Sequence, residues 1–213
     1  MHCSTSTLPA SVEPSDGANR TTAKARCVIA GGLLATVVVA MVSAASHVAA
    51  EPPSSEVWQS IGGLEVLGPG PDYVSIGVGA FDVAGERQAP GVKNRSAAGR
   101  IEYRRGREKL YFIGPMLGVM ANTDGAVYGY GGIHAEAAYG NFVLTQFGAA
   151  GGYRKGNSKD LGGVFEFRLG VGFNWQLADR SRVGVEVVHM SNGFTHYINP
   201  GEEELYVTFA LPF

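Results

Sequence analysis

The sequence predicts an all-β fold, an eight-stranded antiparallel transmembrane β-barrel, and three observations carry that prediction. Alternation of apolar and polar residues recurs in eight segments between Asp72 and Phe213, each close to the roughly ten residues that a tilted strand needs to cross a bilayer. The composition agrees: 31 glycines accompany only 17% charged residues, and no stretch after residue 50 is apolar and long enough for a transmembrane helix. The last series, Leu205, Val207, Phe209, Leu211 and Phe213, ends the chain on an aromatic, as outer-membrane barrels commonly do. A soluble lipocalin-type barrel would need its apolar face inside; the terminal aromatic series and the leader described next oppose it.

Residues 1–50 read as a secretory leader. Arg20, Lys24 and Arg26 precede the apolar run Val28 to Ser46, and Val48, Ala49 and Ala50 supply small residues for cleavage before Glu51. The run is longer than the roughly 7–15 residues of an ordinary signal, so an uncleaved anchor is the competing reading. Both cysteines, Cys3 and Cys27, fall in this segment, which leaves the rest without thiol or disulfide chemistry. Cys27 precedes the apolar run instead of ending it, which argues against a lipoprotein anchor. Residues 51–71 contain four prolines and short apolar runs, and read as a periplasmic lead-in without firm structure. The barrel is expected over residues 72–213.

In order, the strands are expected as follows. Asp72 to Asp82 sets Val74, Ile76, Val78 and Ala80 against Ser75, Gly77 and Gly79. Ala97 to Arg104 sets Ile101 and Tyr103 against Arg100, Glu102 and Arg104, and Lys109 to Met120 alternates more weakly. Tyr128 to Tyr139 opposes Ile133, Ala135 and Ala137 to His134 and Glu136, and a tight Gly140-Asn141 turn leads into Phe142 to Tyr153. Val164 to Trp175 is the clearest, with Phe165, Phe167, Leu169, Val171, Phe173 and Trp175 on one face and Glu166, Arg168 and Asn174 on the other. Arg182 to Ser191 repeats the pattern with three valines opposite Glu186, and Glu204 to Phe213 is the eighth strand. Charged residues thus share one face of each strand, which suits the lumen of a small barrel.

Outer-membrane barrels have short periplasmic turns and longer outer loops. The connections Val83 to Ser96, Arg154 to Gly162 and Asn192 to Glu202 are long, whereas Arg105 to Glu108, Gly140-Asn141 and Ala178 to Ser181 are short. The seventh strand therefore runs outward and carries His189 and Ser191 to its outer end. Residues i and i+2 on a strand share a face, roughly 6–7 Å apart at Cα, so the imidazole of His189 can lean toward Ser191. Both continue the lipid-facing series Val183, Val185, Val187, and Glu203 continues the lipid-facing series of the last strand.

A serine hydroxyl becomes a nucleophile when a base takes its proton, and the base works best when a carboxylate orients it. Three polar groups facing lipid at one corner carry that pattern, and rim wetting is the bland alternative. Asn192 follows Ser191 and Asn199 lies in the same loop; each is an amide that can donate to an oxyanion and also an ordinary turn residue. His196 competes with His189 as the base but lacks strand geometry. The charged set His134, Glu136, Glu166, Arg168 and Glu186 reads as lumen filling. No His or Cys cluster has metal-ligand spacing, no helix follows the glycines at 129–132 to make a phosphate loop, and no cofactor is expected. A net charge of −2 gives no basic excess for nucleic acid.

The run His189-Met-Ser191-Asn192-Gly193, then Asn199-Pro200-Gly201-Glu202-Glu203 and the terminal aromatic, resembles the outer-membrane lipid A 3-O-deacylases (PagL family, acyloxyacyl hydrolases). The likeness extends upstream through VGVEVVH and FEFRLGVGF. It implies an eight-stranded barrel in a Gram-negative outer membrane that removes the ester-linked acyl chain at the 3-position of lipid A. Carried over by motif, His189 is the base, Ser191 the nucleophile, Glu203 the orienting carboxylate and Asn192 an oxyanion donor; Asn199 matches a further Asn of the family. Glu202 and Glu204 flank Glu203, so that assignment rests on the Asn-Pro-Gly offset and on parity, and Glu204 is expected to point into the lumen. A non-catalytic envelope or adhesion barrel and a phospholipase-type esterase using the same residues are the alternatives, and a homodimer is compatible with the sequence.

Overall fold

The computed structural model describes residues 54–84 and 95–213. The expected leader and cleavage point, with both cysteines, lie outside the described residues, as does most of the first long connection. Ten strands form among the described residues: β1 (Val57–Ile61), β2 (Leu64–Leu67), β3 (Tyr73–Phe81), β4 (Ser96–Arg104), β5 (Ile113–Asn122), β6 (Val127–Tyr139), β7 (Phe142–Arg154), β8 (Phe165–Gln176), β9 (Arg182–Ser191) and β10 (Glu202–Pro212). From β3 to β10 each strand pairs antiparallel with the next. The ring closes where β10 meets β3, from Leu205↔Ala80 to Pro212↔Tyr73. This is the expected closed eight-stranded barrel, and closure removes the unpaired strand edges that a membrane does not tolerate.

The two faces have opposite chemistry. Ile101, Leu117, Ile133, Leu169, Phe173, Val185 and Val207 are exposed on the outside, while Arg100, Glu102, Arg104, Glu136, Arg168 and Glu186 are buried inside. A water-soluble barrel would reverse this, so the arrangement is that of a barrel whose wall meets lipid in an outer membrane. These six buried charges are paired. Arg100 and Arg104 both reach Glu186 (2.6 and 3.0 Å), Arg104 also meets Glu102 (2.5 Å), and Arg182 meets Glu136 (2.6 Å). Arg168 binds Glu204 and lies over the rings of Tyr130 and Tyr206. Pairing is what makes such burial tolerable, because removing one partner of a buried ion pair costs about 3–5 kcal/mol.

Two expectations change. Within residues 51–71, expected to lack firm structure, β1 and β2 form a hairpin whose turn is Gly62-Gly63, both at positive φ. A Gly-Gly pair between two short β-prone runs is a hairpin signal; the prolines around it obscured that signal. Strand β5 starts at Ile113, not Lys109, because Leu110 bridges back to Ile113 around Tyr111, which takes φ 59°.

Connections between β5 and β6, β7 and β8, and β9 and β10 share one end with the partly described β3–β4 connection. At the other end the β6–β7 and β8–β9 turns are short while the β4–β5 connection spans 105–112, and aromatic rings mark this end: Tyr103 against Phe213, Phe142 edge-on to Trp175, Trp58 against Phe112. An aromatic girdle of this kind sits at a membrane–water boundary. His189, Ser191 and Glu203 occupy the opposite, long-loop end.

Candidate active site

Strand parity sets each candidate residue. On β9, Val183, Val185, Val187 and His189 are exposed while Arg182, Glu186, Val188 and Met190 are buried, so His189 shares the lipid face with the valines. Ser191 follows on the same face, half-buried, at the last position of the strand. On β10, Glu202 and Glu204 are fully buried and Glu203 between them is turned outward. The flanking acids hold that parity: Glu204 binds Arg168 inside the barrel, and Glu202 Oε2 accepts the N–H of Asp82 at 3.1 Å. A slip of one residue would bury Glu203 and put both neighbours into lipid.

β9 and β10 place Glu203 directly opposite His189. The two side chains meet, with His189 Nδ1 3.3 Å from Glu203 Oε1. With Nδ1–H donating to the carboxylate, Nε2 is the basic nitrogen and is left for a proton donor on the Ser191 side. Among the described residues no hydrogen bond engages the Ser191 hydroxyl, so the structure joins two of the three candidates directly and sets the third one step along the same face. Near the rim a polar side chain on the lipid face costs only about 0–1 kcal/mol, against about 2–4 kcal/mol for a cation at the midplane. The trio is therefore affordable where it stands.

Gly201 closes one side of the imidazole. It sits at φ 59°, and a Cβ there would lie 3.1 Å from His189 Cε1, so both backbone and space call for glycine. On β8, Leu169 lies opposite His189 and Phe167 opposite Ser191. Phe165 packs edge-on against Phe167 with centroids 5.1 Å apart, and Phe194, Tyr197 and Ile198 are exposed on the adjoining loop. An apolar surface thus borders the hydroxyl on the lipid side.

The two asparagines differ. Asn192 is fully buried; its amide donates to Leu161 O (2.8 Å) and Ile198 O (2.7 Å), and its Oδ1 accepts from Phe194 N (3.0 Å). The side chain expected to serve an oxyanion therefore has both amide protons engaged in tying the β9–β10 loop to the β7–β8 loop. Asn199 accepts the Asn192 N–H through Oδ1 at 3.0 Å. That bond fixes which way the amide points and leaves its NH₂ group without an acceptor among the described residues. His196, the competing base, lies over Gly163 and meets Thr195 Oγ1 at 3.1 Å; it forms no hydrogen bond with Ser191. Among the described residues no group of three or more His, Cys, Asp or Glu side chains is disposed to hold a metal ion.

These five residues all fall within a family match. A family model described as Lipid A 3-O-deacylase (PagL) matches residues 99–212, leaving the β1–β2 hairpin and β3 outside. No curated protein matches the chain. Among solved structures, the outer membrane enzyme PagL is similar at 17% identity over 66% of this chain and 99% of that one, with a TM-score of 0.46. Neisserial surface protein A is similar at 12% identity over 73% of this chain and 100% of that one, with a TM-score of 0.40. The Yersinia pestis outer membrane protein Ail is similar at 13% identity over 66% and 99%, with a TM-score of 0.37.

Proposed function

The chain belongs to the lipid A 3-O-deacylase (PagL) family, and from that premise we propose that it is an outer-membrane serine esterase that hydrolyses the 3-O-linked acyl chain of lipid A. The observation that carries the reading is the His189–Glu203 pair, in direct register and in contact on a face otherwise apolar, with Ser191 next along that face.

The chemistry runs in two halves. Ser191 Oγ attacks the ester carbonyl as its proton passes to His189 Nε2, and the carboxylate of Glu203 steadies the imidazolium. Negative charge gathers on the former carbonyl oxygen, and the NH₂ group of Asn199 is the donor for it; Asn192 is a positioning residue that holds the loop. Collapse breaks the ester C–O bond, and the sugar oxygen leaves with the proton from His189. Water then attacks the acyl-serine, His189 takes its proton and returns one to Ser191 Oγ, and the fatty acid departs. The substrate is already a component of the outer leaflet, so it reaches Ser191 laterally, with its acyl chain along the apolar surface of Phe165 and Phe167.

Purified protein mixed with lipopolysaccharide, followed by mass spectrometry of the lipid A, tests the proposal. The expected product has lost one 3-hydroxyacyl chain, and Ser191→Ala makes none. Unchanged lipid A, or equal turnover by Ser191→Ala, would overturn it. Release of fatty acid from phospholipid in preference to lipopolysaccharide would overturn the assigned substrate.

A further inference from the structure

The β1–β2 hairpin serves neither the barrel's closure nor the site, and its position is informative. Strand β5 pairs with β6 only as far as Ile113↔Ala135. Beyond that point β2 takes over the same edge of β6, through Val66↔Ala137 and Glu65↔Ala138. The hairpin therefore continues the barrel wall at the short-turn end, beneath the strand that stops early.

Its faces continue the barrel's alternation. Ala137 is on the outward face of β6 and Ala138 is buried. Val66 shares the side of Ala137; Leu64 is two residues away on the same face, and Ile61 pairs with Leu64. These three are apolar, and Gln59, opposite Val66, brings one amide to the same face. Glu65 and its partner Ser60 share the inward side, where both are exposed past the end of the lumen, and Leu67 joins a buried cluster with Ala138 and Val143. Trp58, at the irregularity in the β1–β2 register, packs on Phe112 (4.8 Å between centroids) and approaches Tyr111 (6.3 Å). On the other side of the hairpin, a Cβ at Gly63 would lie 3.1 Å from the ring of Tyr139. The hairpin thus bridges the aromatic band between Tyr139 and Tyr111.

We propose that this hairpin is a lipid-interface anchor, and that its outward face docks on the phospholipid surface of the inner leaflet at headgroup depth. Continuity with the lipid-facing wall supports that occupant, since the hairpin repeats the wall's inside–outside pattern and lies within its aromatic band. Depth follows from the backbone. Among the described residues strand β1 pairs only with β2, so one edge of it needs water or polar headgroups for its N–H and C=O groups, which the hydrocarbon core does not provide. From Ser54 to Leu67 the segment carries Glu56 and Glu65 and no Lys or Arg, so a zwitterionic surface suits it better than an anionic one.

The two tryptophans allow a direct test. Trp175→Phe leaves Trp58 as the sole reporter on the hairpin, and Trp58→Phe leaves Trp175 as the reference on the barrel wall. Each full-length variant is reconstituted into phosphatidylcholine vesicles, with lipids brominated at shallow or deep acyl positions and with iodide on both sides of the membrane. Expected is a Trp58 emission as blue-shifted as that of Trp175, lost most to shallow bromine and little to iodide. Emission shifted to the red and quenched by iodide would put the hairpin in the periplasm and overturn the proposal. Protection from both quenchers, relieved on dilution of protein in lipid, would mean a second copy covers it and would overturn it equally. Neither result depends on catalytic activity.

Discussion

His189 and Glu203 lie directly opposite one another across β9 and β10, with Nδ1 3.3 Å from Oε1. Glu203→Gln keeps the side chain's shape while removing its charge and its preference for the basic Nε2 tautomer. Deacylation should fall by roughly 10²–10⁴-fold, with the barrel's resistance to unfolding by heat in detergent unchanged.

Glu204→Gln should show the reverse. It leaves the His189–Glu203 pair in place but strips Arg168 of its nearest buried carboxylate, at a cost of about 3–5 kcal/mol. Thermal unfolding in detergent should shift strongly downward, while kcat of the folded fraction stays close to that of the parent.

The asparagines separate in the same way. Asn199→Ala should lower kcat by roughly 10²–10³-fold with little change in KM, as expected when a donor to the developing oxyanion is lost. Asn192→Ala instead removes the bonds to Leu161 O and Ile198 O. Faster proteolysis of the β9–β10 loop together with reduced activity is the expected pair of readouts.

Gly201→Ala places a methyl group where only 3.1 Å separates it from His189 Cε1, at a φ of 59°. The imidazole must shift from Ser191 or from Glu203. Activity should drop, and the His189 ring resonances should move in the NMR spectrum of selectively labelled protein.

Acid should loosen the short-turn end. Burial pushes the carboxyl of Asp72 up, but hydrogen bonds from Arg107 N, Tyr103 OH and Gly106 N outweigh it and hold the group below the usual carboxylate range. A depressed carboxylate contributes stability that is fully present above its unfolded pKa and is lost as pH falls through its folded value. Asp72→Asn should flatten the acid limb of the stability curve, measured by thermal unfolding across the acid range.

The sequence shows the barrel because lipid outside and ion pairs inside impose the strongest alternation a strand can carry, as in Phe165 to Trp175. It shows the pairing of His189 with Glu203 for the same reason, since parity alone puts both on one face. The role of Asn192 is not legible there: its partner Leu161 lies 31 residues away along the chain, and nothing local announces that a loop so distant will fold over it. The hairpin was hidden by scale, for strands of five and four residues between prolines read as connection. The late start of β5 turns on Tyr111 at positive φ, a conformation that a tyrosine does not advertise.

Glu203 stands on the strand that completes the ring. Its carbonyl accepts the N–H of Val83 at 2.8 Å, and the neighbouring Glu202 accepts that of Asp82, both from the first barrel strand's end. Glu203 is thus held by contacts between the beginning and the end of the barrel sequence. His189 and Ser191 stand on the seventh of the eight barrel strands, so Glu203 arrives opposite His189 with the very next strand, and that strand is the one that closes on the first. The side chains proposed to carry the ester chemistry are therefore braced at the seam where the ring closes.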